Sequence, residues 1–131
     1  MTRTPPNPTA KTPRRATGDA FEALALKHLR RAGLKPVARN FHTRFGEIDL
    51  VMVDGDTLVF VEVRYRRDAG HGGAAASVTA SKQARLIRAA QGFLTAHPRW
   101  AAAPCRFDVV SFDGERLAPR LAWLRDAFQA V

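Results

Sequence analysis

The hydrophobic pattern of the chain centres on two apolar stretches that flank an Asp-Gly pair. These stretches, Ile48–Val53 and Leu58–Val63, are rich in β-branched and aromatic residues, and Asp54, Gly55 and Asp56 lie between them. Such residues on both sides of an Asp-Gly pair are typical of a β-hairpin. With Gly55 and Asp56 as the two central turn residues, the pattern predicts antiparallel strands whose side chains alternate between two faces.

Four charged residues interrupt these two strands, and the predicted register brings them together. Counting back from the turn places Asp49 opposite Glu62 and Glu47 opposite Arg64, so that all four share one face of the hairpin. At an effective dielectric of ~20, two carboxylates ~5 Å apart repel by roughly 3 kcal/mol, and a proton or a cation is therefore expected between them. The alternative is a solvated edge hairpin whose carboxylates pair with nearby arginines. Because the flanking stretches are apolar, we favour a site for a hard divalent cation.

Apolar residues at helical spacing predict a helix on the N-terminal side of the hairpin. It runs from a Thr17 cap to about Ala32, with Gly33 as its stop, and it carries Glu22 at the edge of its apolar stripe. That stripe comprises Phe21, Leu24, Ala25, Leu29 and Ala32. A short strand over Leu34–Phe41 is predicted to precede the hairpin.

A second helix is predicted on the C-terminal side of the hairpin. It follows a stretch rich in glycine and alanine over residues 67–77, which we interpret as a flexible flap, and it runs from about Ala80 to Ala96 after a Thr79 cap. Its predicted apolar stripe comprises Ala84, Ile87, Ala90 and Leu94. Lys82 lies in the first turn, where its charge opposes the helix dipole unless an anion lies nearby.

The C-terminal part of the chain is interpreted as a strand, a turn, a second strand and a short helix. The predicted elements are strands at Cys105–Phe112 and near Arg116–Leu121 and a terminal helix over Arg125–Val131. We expect Cys105 to be buried as a small apolar residue and Asp108 to form a structural pair with Arg106 or another arginine. The order of helix, strand, hairpin, helix and strands predicts an α/β fold with a central mixed sheet flanked by helices.

Composition and charge narrow the classes of function. The chain has 131 residues, enough for one domain, and its 21 basic and 12 acidic residues give a formal net charge of +9. Such an excess indicates a polyanionic partner, most often nucleic acid. Residues 1–16 are basic and rich in proline, so we expect a disordered tail before a domain over residues 17–131. No apolar run approaches the ~20 residues needed to span a bilayer, and we expect a cytoplasmic protein that binds no membrane.

The residues together form a pattern that resembles a known family. The pattern is Gly18-x-x-x-Glu22, Arg39-Asn40, Arg44-x-Gly46-Glu47-Ile48-Asp49-Leu50, Phe60-Val61-Glu62-Val63-Arg64-x-Arg66, Lys82 and Arg106-Phe107-Asp108-Val109-Val110. It is similar to the bacterial YraN family, which is largely uncharacterised. That family looks like the PD-(D/E)XK nucleases and is closest to archaeal Holliday junction resolvases. The resemblance implies a restriction-endonuclease-like fold and runs from about residue 17 to the C-terminus.

The resemblance also implies a metal site. Asp49 matches the metal-binding aspartate of these nucleases, and Glu62 matches the glutamate of their ExK motif. The backbone carbonyl of Val63 would complete the site for one or two Mg²⁺ or Mn²⁺ ions. Glu22 matches a first-helix glutamate of resolvase-like members and would contribute directly or through water.

One position departs from the nuclease pattern. Arg64 stands where the motif has lysine, and an arginine cannot act as a general base because it stays protonated. It could still stabilise charge on the reacting phosphate, while Lys82 could supply the missing amine. The resemblance therefore favours a metal-dependent endonuclease acting on DNA. The alternatives are a non-catalytic nucleic-acid-binding module on a degenerate nuclease fold and an RNA-binding or ribosome-associated accessory protein.

Basic residues near the predicted site are the expected contacts to DNA phosphates. They would position the nucleic acid without reading its sequence. The candidates are Arg39, Arg44, Arg66, Arg85 and Arg88. Because resolvase-like enzymes act as dimers, the resemblance also implies that the chain could form a homodimer.

Overall fold

A computed structural model describes residues 13–68, 73 and 75–130 of the protein. The elements are helix α1 (Pro13–Arg31), strands β1 (Lys35–Thr43), β2 (Gly46–Asp54) and β3 (Thr57–Arg66), helix α2 (Ala80–Ala96), and strands β4 (Cys105–Asp113) and β5 (Arg120–Phe128). Short 3-10 turns lie at Ala75–Ser77 and Pro98–Trp100. Most of the predicted tail and part of the predicted flap lie outside the described residues. None of the helices in the described part of the chain is long and apolar enough to cross a membrane.

The strands form one five-stranded sheet in the order β1-β2-β3-β4-β5. The pairs β1–β2, β2–β3 and β4–β5 are antiparallel, whereas β3 and β4 are parallel. The parallel pair requires a crossover connection, and α2 lies within that connection. The predicted α/β class with a central mixed sheet flanked by helices is confirmed.

Each helix covers one face of the sheet with its own apolar cluster. On the α1 face the buried residues are Phe21, Ala25, Leu29, Leu34, Leu50, Met52, Val59, Val61, Val110 and Phe112. On the α2 face they are Ile48, Val51, Leu58, Phe60, Val78, Leu86, Ala89, Ala90, Phe93, Phe107 and Val109. Because both faces are covered, β2, β3 and β4 carry continuous apolar runs, which is why simple alternation is weak in their sequences.

The predicted turn of the central hairpin is confirmed, and so is the predicted register between the turn and the pair Leu50–Val61, where the ladder ends. Gly55 has a φ of +63° at the first of the two turn positions, where a type II′ turn has glycine. Asp54 pairs with Thr57 and Val51 pairs with Phe60. The short-range signal therefore determined how the two central strands meet.

The predicted helix bounds were correct for α2 and partly wrong for α1. Thr79 caps α2, and its side chain accepts a hydrogen bond from the backbone N–H of Lys82 at 3.2 Å. Helix α1, however, begins at Pro13, before the predicted Thr17 cap. Proline suits the first helical position because that residue needs no N–H donor. The predicted stop at Gly33 is supported by its φ of +101°.

Parts of both predicted apolar stripes were wrong. Leu24 is 49% exposed, and Ala32 and Ala84 are also exposed. In α2 the buried stripe is Leu86, Ala89, Ala90 and Phe93. Helical spacing predicts the separation of buried residues, but the sheet that the helix meets decides which of two neighbouring stripes is buried.

The predicted C-terminal helix was wrong, because residues 120–128 form the edge strand β5. A bulge interrupts its pairing with β4, where Asp126 adopts a φ of +51° and donates its backbone N–H to Asp108 at 2.9 Å. Past the bulge, Phe128 stacks on Phe107 with ring centroids 4.8 Å apart. The bulge disrupts the alternation by which a strand is recognised in sequence.

Two predictions on single residues had different outcomes. Cys105 is exposed at the start of β4, so its predicted burial was wrong. Asp108 forms the predicted structural pair with Arg106, whose Nε lies 3.0 Å from Asp108 Oδ1. Asp108 also accepts a hydrogen bond from the indole N–H of Trp123 and therefore ties β4 to β5.

Candidate metal and nucleic-acid site

The site begins where the central hairpin stops pairing. The ladder between β2 and β3 ends at Leu50 and Val61, although both strands continue. Continued in register, Val63 would pair with Ile48. Instead, the backbone N–H of Val63 donates to Asp49 Oδ2 at 2.8 Å. An aspartate side chain thus replaces a main-chain acceptor, and its carboxylate is held at the opening between the strands.

Three carboxylates meet at this opening. Glu22 reaches it from α1, while Glu47 and Asp49 come from the first half of β2. One oxygen from each of the three lies within 4.8 Å of the others. Glu22 is only 9% exposed, and the other two are partly buried. Carboxylates this close and this poorly hydrated repel one another unless protons or a cation balance their charge.

The electrostatic cost of this arrangement appears in the pKa values. Burial, followed by the Asp49 carboxylate, raises the pKa of Glu22 to about 8. Burial also raises the pKa of Asp49, even though the hydrogen bond from Val63 opposes that rise. Without a cation the cluster therefore keeps at least one proton near neutral pH, shared between Glu22 and Asp49 as a hydrogen bond.

Asn40 supports the cluster from strand β1. With its amide nitrogen facing the carboxylates, it donates to Glu47 Oε1 at 2.8 Å and to Glu22 Oε2 at 3.0 Å. Its backbone has a φ of +51°, a left-handed conformation that asparagine tolerates better than most residues. Asn40 thus orients two of the three carboxylates.

Glu62 adds a fourth carboxylate, which faces a lysine of α2. The Nζ of Lys82 lies 3.5 Å from Glu62 Oε1. Burial, followed by the charge of Asp49, raises the pKa of Glu62 to about 7, while Lys82 and Arg64 oppose that rise. Glu62 is the anion expected beside the first turn of α2. Asp49 is therefore close to carboxylates on two sides. It forms a cluster with Glu22 and Glu47, and its charge also acts on Glu62.

A cavity of about 800 Å³ opens over Glu22, Asp49 and Glu62. Its walls come from α1, β2, β3 and the β4–β5 turn. The lining residues are Gly18, Phe21, Glu22, Asp49, Glu62, Val63, Arg64, Tyr65, Arg67, Glu115, Arg116 and Leu117. Among the described residues, the Nε of Arg64 is buried and has no hydrogen-bond partner. An acceptor supplied by a ligand would satisfy that donor.

A basic patch lies beside the cluster, formed by the β1–β2 turn and α2. The guanidinium groups of Arg44 and Arg88 lie over the ring of Phe45, at 4.8 Å and 5.5 Å from its centroid. Arg85 joins them through a small crevice that Glu47 also lines. All three arginines are exposed, as is Arg39 on β1. The patch could hold phosphates next to the carboxylates.

Arg66 differs from the other arginines predicted to contact phosphates. Its Nε and Nη2 each donate to Asp113, both at 2.9 Å, and its side chain is only 13% exposed. Its Nη1 donates to the backbone oxygen of Gly73. We infer that Arg66 holds β3 to β4 instead of contacting nucleic acid.

The donor set fits a hard divalent cation. Carboxylate oxygens are the ligands that Mg²⁺ and Mn²⁺ prefer, and Glu22, Glu47 and Asp49 present them within the range of one ion. The predicted set of Asp49, Glu62 and the Val63 carbonyl overlaps this cluster at Asp49. Glu22, which was predicted to contribute directly or through water, also lies in this cluster, and the structure adds the Glu47 carboxylate. Glu62 lies beside them in its pair with Lys82.

Glu47 and Asn40 were not among the predicted site residues. The signal for Glu47 was present, because it lies two residues before Asp49 and strand side chains repeat with a period of two. The signal for Asn40 depends on pairing between β1 and β2, in which Arg39 pairs with Leu50 and Phe41 pairs with Ile48. That pairing places Asn40 opposite Asp49, but the sequence alone does not determine it.

Comparison with known sequences gives matches over most of the chain. Residues 21–112 match the sequence profile of the uncharacterised protein family UPF0102. A UPF0102 protein of Xanthomonas campestris pv. campestris (strain B100) is 59% identical over 116 residues, which cover 88% of this chain and 93% of the relative. A UPF0102 protein of Stutzerimonas stutzeri (strain A1501) is 56% identical over 115 residues, which cover 88% and 96%. A third, from Pseudomonas entomophila (strain L48), is 55% identical over 113 residues, covering 86% and 92%.

Proposed function

This chain belongs to the uncharacterised protein family UPF0102, and we propose that it is a metal-dependent endonuclease that hydrolyses phosphodiester bonds in DNA. Membership agrees with the resemblance to the YraN family. The observation that carries the proposal is the cluster of Glu22, Glu47 and Asp49, next to a cavity that Glu22, Asp49 and Glu62 line, in a strongly basic protein. Binding phosphates gives no reason to direct four carboxylates at them, whereas metal-assisted hydrolysis does.

The carboxylate cluster would hold the metal. When bound there, Mg²⁺ or Mn²⁺ would lower the pKa of a water molecule and neutralise charge on the phosphodiester. Glu22, Glu47 and Asp49 supply the oxygen ligands, and Asn40 and the Val63 N–H hold the carboxylate groups in place. The raised pKa values of Glu22 and Glu62 are expected where carboxylates wait for a cation.

Two cationic side chains would act on the phosphate itself. Arg64 lines the cavity and has a buried Nε without a partner among the described residues, so it can donate to an oxygen of the reacting phosphate. Such a preorganised donor stabilises charge that develops in the transition state. Lys82 orients Glu62 and places an amine close to the same carboxylates.

The basic patch would position the duplex. Arg44, Arg85 and Arg88 are exposed next to the cluster, and Glu47 and Lys82 line the crevice that joins patch and site. Contacts of this kind fix the register of a nucleic acid but carry no sequence information. We therefore propose DNA backbone binding without strong sequence preference.

Arg64 also supports a second candidate, a DNA-binding protein that has lost catalysis. The motif position holds a group that cannot accept a proton, and Lys82 is already paired with Glu62. In that case the carboxylates would bind metal or protons without turnover. The two candidates share the basic patch and differ in one property, cleavage.

A cleavage assay decides between these candidates. Purified full-length protein is incubated with Mg²⁺ or Mn²⁺ and end-labelled linear, nicked, flapped and branched DNA. We expect cleavage that Asp49→Asn and Glu62→Gln abolish, with DNA binding retained or tightened because each change removes a negative charge near the phosphate path. Asp56→Asn, in the exposed hairpin turn away from the site, is the matched control. Wild-type protein that binds DNA yet cuts none of these substrates with either ion would refute the nuclease proposal.

A further inference from the structure

One leucine is fully exposed at the rim of the carboxylate cavity. Leu117, in the β4–β5 turn, is 100% exposed, more than any other large apolar residue among those described. The same cavity is lined by the buried carboxylates of Glu22 and Glu62 and by the half-buried Asp49. A leucine contributes to stability only when it is buried, so Leu117 does nothing for the fold at this position.

The turn that carries Leu117 is anchored to the strand that carries Glu62. The hydroxyl of Tyr65 donates to the backbone oxygen of Gly114 at 2.7 Å, and the Gly114 N–H donates to the backbone oxygen of Arg66 at 2.9 Å. Tyr65 is itself held, because its ring stacks on Phe21 with centroids 5.0 Å apart. Two hydrogen bonds thus attach the base of the β4–β5 turn to β3, so the exposed Leu117 side chain is held in a defined place.

The turn itself is closed, and charged residues lie beside Leu117. The N–H of Ala118 donates to the backbone oxygen of Glu115 at 3.1 Å, with Leu117 between them. Arg67 and Arg116 line the same cavity. Leu117 is thus a single apolar side chain with charged neighbours, and not part of the broad apolar patch that a protein interface needs.

We propose that Leu117 is a wedge that enters the base stack of bound DNA beside the reacting phosphodiester. The inference rests on the proposed function, since it takes DNA as the ligand of this cavity. Apolar side chains inserted at a base step unstack it and kink the duplex, and nearby cations hold the flanking phosphates. Unstacking costs least where pairing is already broken. The protein therefore prefers duplexes with a mismatch or unpaired base at the cleaved position over continuous duplexes.

Site-specific fluorescence tests the wedge without requiring cleavage. A duplex carries 2-aminopurine next to a single mismatch, and a fully paired duplex carries it at the same position. Both are titrated with full-length protein in EDTA, where a metal-dependent enzyme does not cut. For wild type we expect a rise in 2-aminopurine fluorescence on binding and a preference of about ten-fold for the mismatched duplex.

Three variants make the test specific to Leu117. Leu117→Ser should lose the fluorescence rise and bring the preference close to one, with an unchanged melting temperature because the side chain is fully exposed. Leu117→Phe should retain both signals. Leu24→Ser, a half-exposed leucine on α1 outside the cavity, is the control and should behave as wild type.

The outcomes separate the wedge from the nuclease proposal. If wild type binds and cuts DNA but Leu117→Ser keeps the fluorescence rise and the preference, the wedge is wrong and the nuclease proposal stands. If the wedge signals appear but no substrate is cut, the nuclease proposal is wrong and Leu117 serves binding alone. If wild type binds no DNA at all, both proposals are wrong.

Discussion

The Asp49 side chain accepts the hydrogen bond that a main-chain carbonyl would otherwise accept from Val63. The distance from Oδ2 to the Val63 nitrogen is 2.8 Å, and the β2–β3 ladder ends at the neighbouring residue of β2, Leu50. This bond holds the carboxylate at the opening between the strands, next to Glu22 and Glu47. Assembly of the charged cluster thus costs electrostatic free energy, and such a cost is common at functional sites.

Asp49→Asn should therefore cost little stability while removing metal binding. The amide oxygen can still accept from Val63, and the change relieves repulsion within the cluster. We expect the melting temperature in EDTA to stay the same or rise, and the increase that Mn²⁺ causes in wild type to disappear. Calorimetric melting with and without the ion measures both effects. Asp56→Asn should keep the increase, and an Asp49→Asn variant that keeps it as well would show that the ion binds elsewhere.

The metal-free protein should lose stability as the pH rises from about 4.5 to about 8. The pKa of Glu22 is raised from 4.5 to about 8 and that of Glu62 from 4.5 to about 7, so folding takes up protons in this window. The stabilisation is complete below the pKa that these carboxylates have in the unfolded state. It is lost as the pH rises through their pKa values in the folded state. A tenfold difference in proton affinity between the folded and unfolded states corresponds to ~1.4 kcal/mol. Urea denaturation at several pH values measures the effect.

A Glu22→Gln variant supplies the control for this pH dependence. It should show a flatter profile than wild type and should be the more stable of the two at pH 8, where the wild-type carboxylate is forced to ionise. Saturating Mn²⁺ should also flatten the wild-type profile by replacing the protons. Identical profiles for wild type and Glu22→Gln would contradict the raised pKa of Glu22.

Arg64 should contribute through its charge and its donors, not as a base. Arg64→Lys keeps the charge and places an amine at the position where the nuclease motif has lysine, so activity should be kept or increase. Arg64→Ala removes the charge and should lower kcat by roughly 100-fold, the usual cost of one transition-state donor. Single-turnover cleavage on the preferred substrate measures both. An active Arg64→Ala variant would exclude Arg64 from the reaction.

The exposed arginines and Arg66 should respond to substitution in different ways. Arg44→Ala, Arg85→Ala and Arg88→Ala should each flatten the dependence of log affinity on log salt by about 0.9 if one phosphate contact is lost. Arg66→Ala should leave that slope unchanged but destabilise the fold by roughly 2 kcal/mol, because Asp113 loses its charged partner. Anisotropy titrations over a range of NaCl concentrations and thermal melts give the two readouts. A flatter slope for Arg66→Ala without loss of stability would show that Arg66 contacts nucleic acid and does not support the fold.

The first twelve residues of the N-terminal tail should strengthen DNA binding without supporting the fold. Since α1 begins at Pro13, removal of residues 1–12 leaves every described element intact. This segment carries Arg3 and Lys11 and no acidic residue, so its deletion should weaken binding and flatten the salt dependence. The melting temperature should not change. A shortened protein with the full salt slope would show that the tail does not touch nucleic acid.

Short-range chemistry in the sequence was sufficient for the elements nearest the site. The Asp-Gly pair determined the central turn because only a few turn geometries join two strands over two residues, and Gly55 adopts the required positive φ. Thr79 determined the start of α2 because its side chain satisfies the N–H of Lys82. The turn also determined the register, which made the proximity of Asp49 and Glu62 predictable.

Tertiary structure decided the features that depend on distant partners. Residues 125–128 became part of a strand because β4 offered an open edge and because Asp108 holds the bulge at Asp126. Arg66 became structural because the parallel pairing of β3 with β4 brings Asp113 beside it. Neither partner can be recognised from local sequence.

Some features of the carboxylate cluster could be predicted from the sequence, whereas others depend on the tertiary structure. Sequence spacing placed Glu47 and Asp49 on one strand, but only the packing of α1 on the sheet brought Glu22 to them, and only the β1–β2 pairing brought Asn40. Periodicity along a chain is a property of one element, whereas a site is formed where several elements meet. The charges were therefore visible in the sequence, while their convergence was decided by the fold.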